Sequence, residues 1–217
     1  MSVLTTNYLT PTGREEAWRF TPLKRLRGLH DGAAVQSDRQ SLISKGALPS
    51  GVTFTRENLE PLAASDDVII ERVRGAATSV AHLAIAANTE VAEPIFFHHA
   101  VVDKDATFKS VTVTVGGDVV RILPTVEFTA PGGSVDLLGV YFATAGQFFE
   151  HRMFVDHKVP HAKSRVNYKG ALAGKDAHTV WIGDVLIRAA AEGTDTYELN
   201  RNLLLSDGAR ADSVPNL

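Results

Sequence analysis

FFEHRMFVDHKVPHAKSRVNYKGALAGKDAHTVWIGDVLIRAAAEGTDTYELNRNLLLSDGARADSVPNL, residues Phe148 to Leu217, is the stretch that decides the fold. Its short apolar runs are Met153-Phe154-Val155, Thr179 to Ile182, Asp184 to Ile187 and Asn202 to Leu205, separated by Gly, Asp and Asn. Alternation with a period of two predicts strands, and the punctuation predicts turns too short to hold helices. The polar residues fall within and between the strands, with no nucleophile elbow.

Upstream, the same texture begins at Asp67. Val68 to Val73, Val80 to Ala86, Thr107 to Val115, Val119 to Leu123, Val126 to Thr129 and Val135 to Phe142 all predict strands. Many are rich in Val and Thr, as a pleated surface prefers. A loose unit recurs, an acidic residue or Gly, then a small residue, then alternation. Asp105-Ala106-Thr107-Phe108, Gly133-Ser134-Val135-Asp136, Asp176-Ala177-His178-Thr179 and Gly208-Ala209-Arg210-Ala211 are instances. The spacing is too irregular for a propeller and suits a solenoid of stacked parallel strands. A β-sandwich of short strands is the competing architecture. Gly116-Gly117-Asp118 and Pro131-Gly132-Gly133 are turn signals that open no helix, which excludes a phosphate-binding loop.

The chain therefore divides into an N-terminal helical and irregular segment, 1–66, and a β core, 67–217. Thr12 and Glu15 have the spacing of a capping box ahead of a short helix over Arg14 to Arg19. Thr21-Pro22 predicts a second start, with Thr21 as N-cap. Leu23, Leu26 and Leu29 would share a face there, with Trp18 and Phe20 packing nearby. Val52-Thr53-Phe54 predicts a short strand, and Asn58 to Ala64 a helical turn.

Composition bounds the function. The chain has 217 residues, 44% hydrophobic and 22% charged, with a formal charge of −3, which gives no electrostatic reason for a nucleic-acid partner. Arg14, Arg19, Lys24, Arg25 and Arg27 cluster with Glu15 and Glu16 among them, as on a solvated helix face. There is no cysteine, so the chain offers neither disulfide nor thiolate ligation. The first residues lack a signal-peptide pattern and no apolar run reaches the length of a membrane span, so a cytoplasmic protein without a membrane partner is expected.

Three constellations could carry chemistry. His151, Asp156, His157 and His161 lie close in sequence. His151 and His157 would point to one face of a strand, and imidazoles at that density can bind iron or zinc. The spacing matches no defined metal motif, and ordinary turn or surface histidines are the simpler reading. The polar run Lys163, Ser164, Arg165, Asn167 and Lys169, followed by Lys175, Asp176 and His178, raises a rival class. Parallel β-helix polysaccharide lyases and hydrolases use basic residues in a groove or paired carboxylates. Asp184, Glu192, Asp195 and Glu198 are scattered here, as solvated turn ends are. Third, Asn200 and Asn202 would project on one face of Tyr197 to Leu205, as stacked Asn side chains do in a solenoid. Trp181 is expected to pack with one N–H to satisfy.

Two stretches resemble a known family. Phe148 to Leu217 is similar to the core of SufD-type subunits of the SufB/SufD family, scaffolds of the SUF iron–sulfur cluster assembly system. Glu16-Ala17-Trp18-Arg19-Phe20-Thr21-Pro22-Leu23 resembles the signature at the entrance to those cores. The resemblance implies a right-handed parallel β-helix and a non-enzymatic scaffold that pairs with SufB. It also implies action with the ATPase SufC through a helical carboxy-terminal domain that the matched residues do not include. A nascent cluster would form at the SufB contact, with thiolates from SufB and reduced flavin in the assembled complex. Late-core strands lie near that contact, which makes Asn200, Asn202, Val214, Pro215 and Asn216 the candidate interface, for SufB or for a homodimer. Glu93 to His99 departs from the family pattern, as though internal residues were missing there.

Overall fold

A computed structural model describes residues 11–26, 59–64, 68–84 and 95–217, with side chains described for 11–26, 73–75 and 99–217. Among them are twelve strands: β1 (Leu59–Ala64), β2 (Val68–Val73), β3 (Ala76–Ala84), β4 (Ile95–Val102), β5 (Thr107–Val115) and β6 (Val119–Phe128), then β7 (Ser134–Ala143), β8 (Phe148–His157), β9 (Lys163–Leu172), β10 (His178–Ile187), β11 (Asp195–Leu204) and β12 (Arg210–Asn216). Odd and even strands separate. One sheet, here sheet A, has the order β1-β2-β4-β6-β8-β10-β12, and sheet B the order β11-β9-β7-β5-β3. Every neighbouring pair is parallel except the β1–β2 hairpin. Each coil gives one strand to each sheet, and the stack is a parallel β-helix.

The recurring sequence unit has a backbone cause. From β5 onward, the residue two places before each strand has a positive φ: Asp105, Gly117, Gly132, Gly146, His161, Asp176, Gly193 and Gly208. Asp and His are among the side chains that tolerate this left-handed region best, and Gly has no penalty there. The turns stack on one another, with Asp105 N–H donating to the Pro131 carbonyl at 3.2 Å and His161 N–H to the Glu192 carbonyl at 2.9 Å. Ala106, Ala162 and Ala177, the small residues that follow, are fully buried at the corners. The second instance quoted from the sequence starts one residue earlier than read, at Gly132. Unequal loops absorb the irregular spacing, so Thr107, Ser134, Lys163 and Asp195 still stand side by side.

The core lies between the sheets, where Phe108, Phe128, Phe149, Met153, Leu172 and Trp181 are buried. Two tyrosines fit by a swap across β7 and β9. Gly139 pairs with Tyr168 and Tyr141 with Gly170. A Cβ on either glycine would overlap the ring of its neighbouring tyrosine. Two aromatic side chains thus occupy the space of four residues.

Outside sheet A lies the N-terminal segment. Leu26 is fully buried, and Trp18, Phe20 and Leu23 pack with it against Val119, Phe148, Val180, Ile182 and Val214. Burying a leucine this completely contributes about 2 kcal/mol. Arg121 and Glu150 form an ion pair at 3.1 Å with both side chains nearly inaccessible. The guanidinium also donates to the Ala17 carbonyl at 2.5 Å and lies 4.0 Å from the centre of the Trp18 ring. Such a pair persists because its remaining hydrogen-bonding groups find partners.

Several local expectations are corrected. The helices over Arg14 to Arg19 and after Pro22 are single 3-10 turns, Glu16–Trp18 and Leu23–Leu26. Glu15 does reach back as the capping box expects, its carboxylate accepting the Thr12 and Gly13 N–H groups at 3.0 and 2.9 Å, but Glu15 rather than Thr12 is the N-cap. Those bonds, the Thr12 N–H first, hold its pKa down at about 2. Thr21 directs its hydroxyl to Glu150 on β8 rather than to a helix start. Arg25, expected on a solvated face, donates to the Asp118 side chain and carbonyl on the core. In place of the helical turn expected over Asn58 to Ala64, Leu59–Ala64 is the strand β1, and Asn58 lies outside the described residues. The strand sits at the sheet edge with a register shift between Pro61 and Ala63, where a missing N–H is tolerated. Lys163–Leu172, read only as a polar run, is β9. The pairs of short runs around Pro124 and Gly183 are single strands, β6 and β10. Val52 to Phe54 and Leu29 lie outside the described residues.

Candidate functional site

The three candidate histidines take two different places. His151 and His157 do share a face of β8, and that face is the inside, where both are buried. His151 stacks on Tyr141 with ring centres 4.6 Å apart, and His157 on Phe128 at 4.8 Å. Their Nε2 atoms reach Thr114 Oγ1 and Ser164 Oγ, each at 3.0 Å. Burial lowers the His151 pKa to about 3 and lowers that of His157 against the opposing pull of Asp156. His161 is exposed in a turn, holding one of the left-handed positions. Among the described residues, no group of three or more His, Asp or Glu is arranged to hold a metal ion. Asp156 faces outward and accepts two hydrogen bonds from Arg188, at 2.8 and 2.9 Å.

The polar run at 163–178 is dispersed by the strand's alternation. Lys163, Arg165, Asn167 and Lys169 face outward from sheet B, and Arg165 is paired with Asp195 at 2.6 Å. Ser164 faces inward, Lys175 and Asp176 lie in a turn, and His178 contacts Asp212 at 2.7 Å outside sheet A.

What gathers is the interior of β11. Its inward side chains are Thr196, Glu198, Asn200, Asn202 and Leu204, where the preceding coil offers Ser164, Val166, Tyr168, Gly170 and Leu172. Tyr141 donates its hydroxyl to Asn202 Oδ1 at 2.6 Å and accepts from Asn200 Nδ2 at 2.9 Å. Asn200 also donates to the Tyr168 carbonyl at 3.1 Å, and Ser213 of β12 donates to Asn200 Oδ1 at 2.5 Å. A second chain runs from His157 through Ser164 to Thr196, with 2.6 Å between the hydroxyl oxygens. The buried histidines are thus linked to the last coil, one by stacking on Tyr141 and the other by hydroxyls.

Beside this network lies a less satisfied group. Both carboxylate oxygens of Glu198 are buried without a hydrogen-bond partner among the described residues, as is the indole nitrogen of Trp181. Gly183 leaves room for both, since a Cβ there would crowd the Trp181 ring and the Glu198 carboxylate. Burial, with Asp184 nearby, raises the Glu198 pKa to about 7.

Of the candidate interface residues, Asn200 and Asn202 are therefore in the network. Val214 packs under the N-terminal segment, Pro215 pairs with Gly183 on the edge strand β12, and Asn216 donates to Asp184 at 2.6 Å. Glu198, read from the sequence as a solvated turn end, instead lies within β11 with its carboxylate covered, and sequence reading passed over Tyr141. The signal for Glu198 was its distance of two residues from Asn200, which puts it on the same face. Nothing local marks Tyr141, because its partners are in other coils.

Two sheets of stacked parallel strands with a polar last coil define a parallel β-solenoid protein. Residues 53–217 match the family described as "SUF system FeS cluster assembly, SufBD core domain". The chain is 39% identical to an iron–sulfur cluster assembly SufBD family protein of Mycobacterium tuberculosis, over 95% of this chain and 72% of the relative. It is 36% identical, with the same coverage, to the one from Mycobacterium leprae. No solved structure matches the chain. The chain belongs to the SufB/SufD family of iron–sulfur cluster assembly proteins. The match to the tuberculosis protein extends over 285 residues where this chain has 217, so that relative carries residues inside the matched span with no counterpart here. Ile95–Val102 is an unbroken strand, and 85–94, including the start of the expected join, lie outside the described residues. No helix of the described residues is long and apolar enough to cross a membrane.

Proposed function

We propose that this chain is a non-catalytic, cytoplasmic scaffold subunit of the SufD type. It pairs with SufB and works with the ATPase SufC in assembling iron–sulfur clusters. The observation that carries the reading is the lack of any cysteine in a member of this family. The thiolates that hold a nascent cluster then come from the partner, the cluster is cargo rather than a resident cofactor, and reduced flavin belongs to the assembled complex. The polar last coil supports the same reading. β11 and β12 are the edges of the two sheets, and their Asn200–Asn202–Ser213 network lies beside unpaired backbone groups that a partner strand can use.

Co-expression with SufB and native mass spectrometry test this. A one-to-one heterodimer is expected, weakened at least about tenfold by Asn200→Ala with Asn202→Ala, since two part-buried amides that order the edge of the last coil are removed. SufC is expected to be retained when SufB is present. A homodimer that excludes SufB, or a cluster assembled by this chain alone, would overturn the reading.

A further inference from the structure

The outer faces of the two sheets are treated differently. Sheet A's apolar stripe is covered by Trp18, Phe20, Leu23 and Leu26. On sheet B, Val115, Phe142, Ala171 and Leu203 form one row across four strands, and Val113, Val140, Lys169 and Arg201 form the next. Val140, Phe142 and Leu203 are 51%, 38% and 61% exposed, respectively. A contiguous apolar surface of this kind marks an interaction site more often than scattered apolar residues do.

Charge selects the partner. Lys109 and Arg165 on this face are ion-paired with Asp136 and Asp195, at 3.9 and 2.6 Å. Lys169 and Arg201 are direct cross-strand neighbours, and neither has a carboxylate partner among the described residues. Like charges placed opposite one another are unfavourable, and a carboxylate laid across them removes that repulsion. We propose that the outer face of sheet B docks an acidic amphipathic segment of a partner protein. Its apolar side chains sit on the row through Phe142 and Leu203, and its carboxylates sit on Lys169 and Arg201. A second copy bound face to face about a two-fold axis through this cation pair would set the cations against their own equivalents. The site shares β11 with the proposed SufB edge through Arg201 and Leu203, but it uses their outward side chains rather than the strand's edge backbone, and it does not rest on the scaffold reading.

The cysteine-free chain allows a clean test. Ala171→Cys places one polarity-sensitive fluorophore on the row between Phe142 and Leu203. Two synthetic amphipathic peptides of equal length serve as probes, each with a Leu stripe, flanked by Glu in one and by Lys in the other. The Glu peptide is expected to bind saturably, about tenfold or more tighter than the Lys peptide, and to weaken as salt screens the contact. Lys169→Glu with Arg201→Glu, both exposed, should invert the preference while leaving the circular dichroism spectrum unchanged. Equal binding of the two peptides, no saturable binding, or a preference that survives charge reversal would overturn the proposal. So would a fluorophore shift produced by phosphatidylserine vesicles but by neither peptide, or by self-association alone.

Discussion

β9 and β11 are neighbours in sheet B and share register, yet at three of five inward pairs their residues have opposite character. Val166 stands beside Glu198, Tyr168 beside Asn200 and Gly170 beside Asn202. β9 has a strand on each side, whereas β11 is an edge with one. A polar side chain inside the middle coils must find its partner within the stack, as His151 does in Thr114 and His157 in Ser164. Beside the edge, amides can bond to one another and to Tyr141 while remaining half exposed. Position in the stack, rather than strand propensity, decides what the interior tolerates.

The largest difference should appear within one column. Tyr168→Ala removes a fully buried ring whose space nothing else can fill, and should cost about 3–5 kcal/mol by analogy with other large aromatic truncations. Asn200→Ala, its register neighbour, loses hydrogen bonds in a partly hydrated setting and should cost about 1 kcal/mol. Urea denaturation of both variants measures the contrast. Equal losses would show that the last coil is packed as tightly as the middle.

A pH effect sharpens the same contrast. His151 is neutral in the fold because burial lowers its pKa to about 3. In the unfolded chain it titrates near its ordinary value of about 6.5, so between these values the unfolded state binds more protons and stability falls as pH falls. At pH 5 this one residue should cost about 2 kcal/mol relative to pH 7.5. His151→Phe keeps a ring against Tyr141 and lacks the titration. Its loss of stability between those pH values should be smaller by that amount, measured by urea midpoints. An identical pH slope in both proteins would mean that water reaches the middle of the stack.

Much of this architecture was legible in the sequence because both of its signals are local. Alternation over residues such as Thr107–Val115 marks a strand by itself, and the unit at Asp105-Ala106 or Asp176-Ala177 marks a turn that only a few side chains can adopt. The same rule explains His161, a turn residue that resembled a ligand because it is near two other histidines in sequence. What stayed hidden depends on neighbours one coil away, roughly thirty residues distant. The exchange of Gly139 and Gly170 with Tyr168 and Tyr141 is one case, and the polarity of β11's interior is another. β9 was missed because its outward lysines and arginine dominate its composition. β1 was missed because Pro61 reads as a breaker except on an edge.

Glu198 gives the smallest effect and one of opposite sign to His151. Its carboxyl is held at a pKa of about 7 by burial and by Asp184. An ordinary glutamate titrates near 4.3, so here the folded state binds the extra proton, and stability is lost as pH rises through that window. The carboxylate oxygens are covered, but the residue as a whole is only part-buried on an edge strand, so solvent screening should reduce the effect well below what the shift alone implies, to on the order of 1 kcal/mol. Glu198→Gln removes the titration and keeps the shape. The variant should be more stable than the parent at pH 8, with an advantage that shrinks toward pH 5, as read from paired thermal melts. An advantage independent of pH would mean that the carboxylate already has a partner when ionised. A strand from a partner laid along β11 would bury Glu198 further, so the raised pKa should rise again on binding, and complex formation at pH 7.5 should take up protons. Calorimetry in two buffers of different ionisation enthalpy would detect this for SufB. Proton-independent binding would place the partner elsewhere on the molecule.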